Sequence, residues 1–223
     1  MADAMDSKSI SRKGVGVQVP ASAPAFTDPL ARAMLPVLLH RVGNASQLLT
    51  ALDGLVEVDP RALETRSGDL VAAGETVDEI GWLLALLASA SGARLLLDRR
   101  ERGGLLPLVA CVRACLRREG RDLAAPARAL PGLAPDVGAG WQLPWGIGLL
   151  LYLAGRTQVP RAALAWTIDE SADGWSLACP APQSDDAALF ERWVAEELAP
   201  ARFIVDDAGC ALRFPRAWLR SAP

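Results

Sequence analysis

The chain of 223 residues carries 23 basic and 26 acidic residues, a formal charge of -3, and 51% of it is hydrophobic. That length and apolar content suit one large domain or two small ones with a real core. The charge supplies neither the basic stripe of a nucleic-acid binder nor a polybasic membrane anchor, so neither partner is expected.

Residues 1–26 differ from the rest. Both lysines, Lys8 and Lys13, fall here, and there is no apolar stretch of the kind a secretory signal needs. The run Gly14 to Pro24 is also what one frame through the T-arm and CCA end of a transfer-RNA gene encodes. A disordered tail with a start assigned too far upstream is expected, and mapping the native N-terminus before residue 20 sinks that idea.

Residues 27–92 read as a helical hairpin. Thr27 or Asp28 caps a first helix with Pro29 at its first position, running to about Val58. Leu35, Leu38, Val42, Ala45, Leu49, Leu52 and Val56 follow the 3,4 spacing of a heptad seam. Pro36 predicts a bend. After Asp59-Pro60 a second helix is expected from Arg61 to about Ser91, with Leu63, Leu70, Val77, Ile80, Leu84 and Leu87 on its apolar side. The short connection makes the pair antiparallel. Two apolar faces cannot be buried by one hairpin, so a second copy completing a four-helix bundle, a homodimer, is the simplest solution.

Residues 93–223 change character. Leu95 to Leu97 is a short β-like run, Leu105 to Arg118 a helix, and Glu119 to Gln142 mostly loop with weak strand character at Arg121 to Ala124. Leu143 to Arg156 is apolar almost all round and predicts a buried helix, its apolar run being too short for a membrane span. Ala162 to Asp169 and Trp175 to Cys179 alternate around a turn and predict a hairpin. Asp185 to Leu198 is an amphipathic helix, and Ala201 to Val205 with Ala211 to Phe214 a second hairpin around Asp206-Asp207. The expected class is α+β, with helices on one face of a mainly antiparallel sheet.

Most polar candidates read as structural. Asp206, Asp207, Glu170 and Asp173 suit turns. Trp82, Trp141, Trp145 and Trp193 sit in apolar contexts that suit a core. Arg99, Arg100 and Arg102, with Asp98 and Glu101, form a charged junction. The four cysteines, Cys111, Cys115, Cys179 and Cys210, lack metal-ligand spacing and read as small apolar core residues, which suits a reducing cytoplasm, the expected location.

The exception is the first helix. His40 is the only histidine of the chain and Asn44 the only asparagine, and residues four apart share a helical face. A lone histidine is more often a hydrogen-bonded core residue. The heptad register, however, puts His40 at f and Asn44 at c, away from the seam, where a neutral imidazole is available as a nucleophile.

His40-Arg-Val-Gly-Asn44, flanked by the apolar stretches Leu35 to Leu39 and Leu48 to Leu55, resembles the HRxxN phosphoacceptor box of one class of bacterial histidine kinase. The closing segment Ala201 to Pro215 is similar to the last two strands of the kinase ATP-binding domain. The likeness runs over residues 28 to 218 in order of elements. It departs where a kinase holds nucleotide: the helix Leu143 to Arg156 contains no Asn, Asp or Glu, and no glycine lies between Trp175 and Gly209 to form a lid. A phosphoacceptor hairpin joined to a degenerate ATPase-like domain resembles the dimeric histidine phosphotransferases of phosphorelays, of the ChpT type and the sporulation type.

That resemblance implies that His40 accepts a phosphoryl group from a response-regulator receiver domain and passes it to another, without ATP. Arg41 would hold phosphate charge, and Asn44 would bond phosphoryl oxygens or orient a water. Gly43, Gln47 and Thr50 would lie on the receiver-docking face. No cofactor is implied for this chain, since the receiver brings its own Mg²⁺. Two other readings stay open: a non-catalytic dimeric regulator that blocks a receiver or kinase, and a receiver phosphatase using Asn44.

Overall fold

The computed structural model describes residues 28–59, 61, 66–91, 104–134 and 140–220. The expectations for the tail, for Leu63, for Leu95 to Leu97 and for the charged junction lie outside these residues. The chain is α+β.

Helix α1 spans Asp28–Val58 and continues through Pro36. Its partner α2, Ser67–Ala90, begins later than the expected Arg61; Arg66 precedes it and pairs with Asp69 at 3.0 Å. The buried line of α1 is Leu30, Met34, Val37, Leu38, Ala45 and Leu52, and that of α2 is Ala73, Ile80, Leu83, Leu86 and Ala90. Of the expected α1 seam, apart from Val56, whose side chain lies outside the described ones, only half is covered. Leu38, Ala45 and Leu52 are buried, whereas Leu35, Val42 and Leu49 remain 48%, 42% and 42% exposed. On α2, Leu70, Val77 and Leu84 are likewise exposed. The N-terminal half of α1 turns Met34 and Val37 inward instead, because there it meets a third layer.

That layer is α3, Leu105–Arg118, and α4, Gln142–Thr157. Every residue of α4 from Leu143 to Gly155 is buried, as its all-round apolar pattern predicts. The two helices approach closely at glycines. A Cβ on Gly148 would stand 3.0 Å from Leu108, and one on Gly155 2.5 Å from Leu116. On α4's other flank, a Cβ at Gly146 would meet the Trp193 ring at 2.9 Å.

Between α3 and α4, the two-residue strand β1, Asp122–Leu123, pairs in parallel with β3, Ala163–Leu164. The strand β2, Gly132–Leu133, pairs antiparallel with β8, Leu219–Arg220, beyond a 3-10 turn at Arg216–Trp218. The main sheet has four antiparallel strands in the order β4-β5-β7-β6: β4 Thr167–Ser171, β5 Gly174–Cys179, β6 Arg202–Asp206 and β7 Gly209–Phe214. The expected single strand Ala162 to Asp169 is therefore two, serving different sheets. Both expected hairpins are present, each with a two-residue turn. Helix α5, Ser184–Glu197, crosses between them and buries Phe190, Trp193 and Val194; Phe190 meets Phe203 edge-on at 4.9 Å. One buried cluster runs from Leu30 on α1 through α3 and α4 to the sheet, and all four cysteines belong to it.

Candidate functional site

α1 places the residues around His40 on its open side. His40 and Asn44 are both exposed, and the Asn44 amide Nδ2 lies 3.4 Å from His40 Nε2. An amide N–H that donates to Nε2 takes up the single lone pair of that nitrogen and leaves the ring proton on Nδ1. The pair can form because four helical residues bring the second side chain one turn above the first.

Arg41 turns the other way. It is half-buried against α2, where its guanidinium lies 4.0 Å from Glu79 Oε2. It also acts on α3: the Cys111 thiol is drawn below its ordinary range, first by a hydrogen bond with Cys115 and further by the charge of Arg41, with burial opposing. Arg41 thus ties α1 to its neighbours beside the imidazole. Glu79 is a residue that sequence reasoning missed, since no local signal links positions on different helices.

Gly43 and Gln47 are exposed on the His40 side, and a Cβ on Gly43 would meet nothing within 4 Å. No packing constraint requires glycine there, and a glycine inside a helix costs roughly 0.5–1 kcal/mol relative to Ala. What it provides is bare backbone one turn from the imidazole. Thr50 is exposed too, its hydroxyl donating to the Ser46 carbonyl at 2.9 Å. It borders a second feature: an open apolar groove of about 300 Å³ between α1 and α2, lined by Val42, Ala45, Leu49, Val77 and Ile80 among others. Ser46, Val77 and Ile80 were not expected as site residues.

Helix α4, which lacks Asn, Asp and Glu, is enclosed along its length. Its flanks are covered by Leu108, Leu116 and Trp193 rather than open to a ligand. At its C-terminal end Tyr152 donates to Glu119 at 2.5 Å, and Glu119 also pairs with Arg121 and Arg156 at 3.7 and 3.8 Å. Nearby, Asp122 is gripped by Arg113 and Arg117, whose Nε atoms donate at 2.8 and 3.1 Å.

Among the described residues no helix is long and apolar enough to cross a membrane, and no group of three or more His, Cys, Asp and Glu side chains is placed to hold a metal ion. No family model, curated protein or solved structure matches the chain.

Proposed function

We propose that the chain is a dimeric histidine phosphotransferase of a bacterial phosphorelay, working through His40 without ATP. The observation that carries this reading is the sole imidazole held exposed on a 31-residue helix with an amide at its Nε2. In the forward step the Asn44 amide swings off Nε2, and the lone pair it frees attacks the phosphorus of a receiver's aspartyl phosphate. The N–P bond forms as the P–O bond to the aspartyl carboxylate breaks, and that carboxylate leaves with the electron pair. Attack by the aspartate of a second receiver on the phosphohistidine reverses the sequence. Placement is nearly all this chain must supply, because the receiver's own Mg²⁺ neutralises the phosphoryl charge when that partner is bound. Asn44 steadies the ring in the resting state, and Arg41, paired with Glu79 on the α2 side, would have to leave that pair to meet the phosphoryl charge.

Two features support the rest of the reading. The helix α4 has no Asn, Asp or Glu, and its flanks are filled by core side chains, which favours a domain that no longer holds nucleotide. Of the fifteen large apolar side chains exposed among the described residues, eleven lie on α1 and α2. Such a concentration marks an interaction face. The occupant is a second copy: Leu35, Val42 and Leu49 repeat every seven residues with Val77 alongside, the pattern of a helix seam awaiting a matching seam.

Incubation with a receiver carrying radiolabelled aspartyl phosphate tests the proposal. Label is expected on the wild type and not on His40→Ala. Equal labelling of both would refute it, and a nucleotide titration showing tight ATP binding would remove the ATP-independent part.

A further inference from the structure

We infer that Cys179 and Cys210 form a reversible redox dithiol that closes a disulfide across the main sheet. The inference goes beyond phosphotransfer and does not rest on it. The two residues are directly opposite each other in the β5–β7 register, and their sulfurs are already 3.6 Å apart. Opposed antiparallel residues have Cα atoms about 4.5–5.5 Å apart, inside the roughly 4.4–6.8 Å range that disulfides span. Closure therefore needs side-chain rotation and little backbone movement.

The site is pinned by its surroundings. Gly209, at φ 147°, starts β7 next to Cys210, and a Cβ there would lie 2.6 Å from the Cys179 carbonyl oxygen, so only glycine lets the two strands approach this closely beside the cysteines. Asp206 closes the adjoining turn by accepting from the N–H groups of Ala208 and Gly209 at 2.9 and 3.2 Å. The other cysteine pair supplies the contrast. Cys111 and Cys115 are one turn apart on α3, and Cβ atoms at that spacing are about 5–6 Å apart, beyond the roughly 3.5–4.5 Å a disulfide accepts. Only the sheet pair is built to close.

The thiols are also differentiated. A hydrogen bond from Cys179 draws Cys210 down from its ordinary range, against burial and Asp206, while the same bond and burial push Cys179 up. With Cys210, whose thiol also lies 3.7 Å from the Pro180 carbonyl oxygen, as the first sulfur to react, the oxidation balances in atoms and electrons. The Cys210 thiolate takes the terminal oxygen of a peroxide, giving a sulfenic acid as the O–O bond breaks. The Cys179 sulfur displaces water from that sulfenic acid. Overall, two thiols and one hydrogen peroxide give one disulfide and two waters, with two electrons passing from sulfur to oxygen. The new bond encloses α5 and β6 in a covalent loop and fastens the two central strands of the sheet to each other at one end.

The test uses the intact folded chain, treated with hydrogen peroxide, alkylated and mapped by mass spectrometry. Loss of two hydrogens, a Cys179–Cys210 cross-linked peptide and recovery of both thiols with dithiothreitol are expected. The titratable thiols should fall from four to two in the wild type, and from two to none in the Cys111→Ala/Cys115→Ala double variant. A Cys111–Cys115 bridge, only intermolecular bridges, or Cys210 oxidised to sulfinic acid beside a free Cys179 thiol would overturn the inference. So would closure that occurs only in denaturant. The wild-type map decides the matter even if the variants fail to fold.

Discussion

The amide nitrogen of Asn44 lies 3.4 Å from Nε2 of His40 across one turn of an unbroken helix. An exposed amide–imidazole contact of this length is weak, and its loss should cost only the part of one hydrogen bond that water does not replace. Asn44→Ala is therefore expected to keep phosphoryl labelling at His40 and slow it by about 2- to 10-fold. Complete loss of labelling would give Asn44 a role in the reaction itself. Phosphate release from the receiver that survives in His40→Ala and disappears in Asn44→Ala would replace transfer with hydrolysis.

A Cβ added at Gly43 would meet nothing within 4 Å. Gly43→Ala should raise the unfolding free energy by roughly 0.5–1 kcal/mol, because alanine is the better helix former. Gly43→Leu adds bulk beside the imidazole and should slow transfer from the receiver while leaving the fold intact. Denaturant melts and labelling rates measured on both variants check this. A leucine variant that transfers at the wild-type rate removes Gly43 from the docking face.

Val42 and Leu49 border the groove between α1 and α2 and are exposed in the single chain. Replacing both with glutamate should leave helicity unchanged and convert a dimer into a monomer, since two like charges would then face each other across the two-fold seam. Sedimentation of wild type and variant reads the outcome. A wild type that sediments as a monomer at every concentration ends the four-helix-bundle proposal.

Asp122 is held by two guanidiniums, first Arg113 and then Arg117, which keep its carboxyl well below the usual carboxylate range. A depressed carboxylate stabilises the folded state above its unfolded pKa, about 3.9, and that contribution is lost as pH falls toward the folded value. Asp122→Asn should lower the thermal midpoint by about 2–4 °C at pH 7. The gap from wild type should narrow as the pH drops below about 4. A gap that stays constant from neutral pH to acid would mean the carboxylate charge is not what is lost.

Tyr152 is the only tyrosine, so its ionisation can be followed without interference. Burial, helped by the bond to Glu119, pushes its phenol well above the ordinary value. A raised pKa contributes stability that is present below the unfolded value, about 10, and is lost as pH rises beyond it. Ultraviolet titration should show no phenolate in the folded protein near pH 10, with ionisation arriving together with unfolding. Tyr152→Phe should cost about 1 kcal/mol at neutral pH, because Glu119 keeps two arginine neighbours. Phenolate formation at the ordinary value in folded protein would contradict the buried bond.

Local pattern by itself determined much of this molecule. The ends of α3, the buried α4, both β-hairpins, and the exposure of His40 and Asn44 follow from periodicity, turn residues and the four-residue helical repeat. What remained hidden depended on partners remote in the chain. Heptad spacing marks Leu35 and Leu38 alike as apolar, but α1 meets α3 and α4 on the side of Met34 and Val37, so Leu38 is buried and Leu35 is left open. The stretch from Ala162 to Asp169 alternates like one strand, yet Ala163–Leu164 pairs with Asp122–Leu123 while Thr167–Ser171 pairs with β5. Likewise, nothing local joins Arg41 to Glu79 or Cys179 to Cys210. Periodicity reports that a face is apolar; which neighbour covers it, and which side chains that brings together, is a property of the assembled layers.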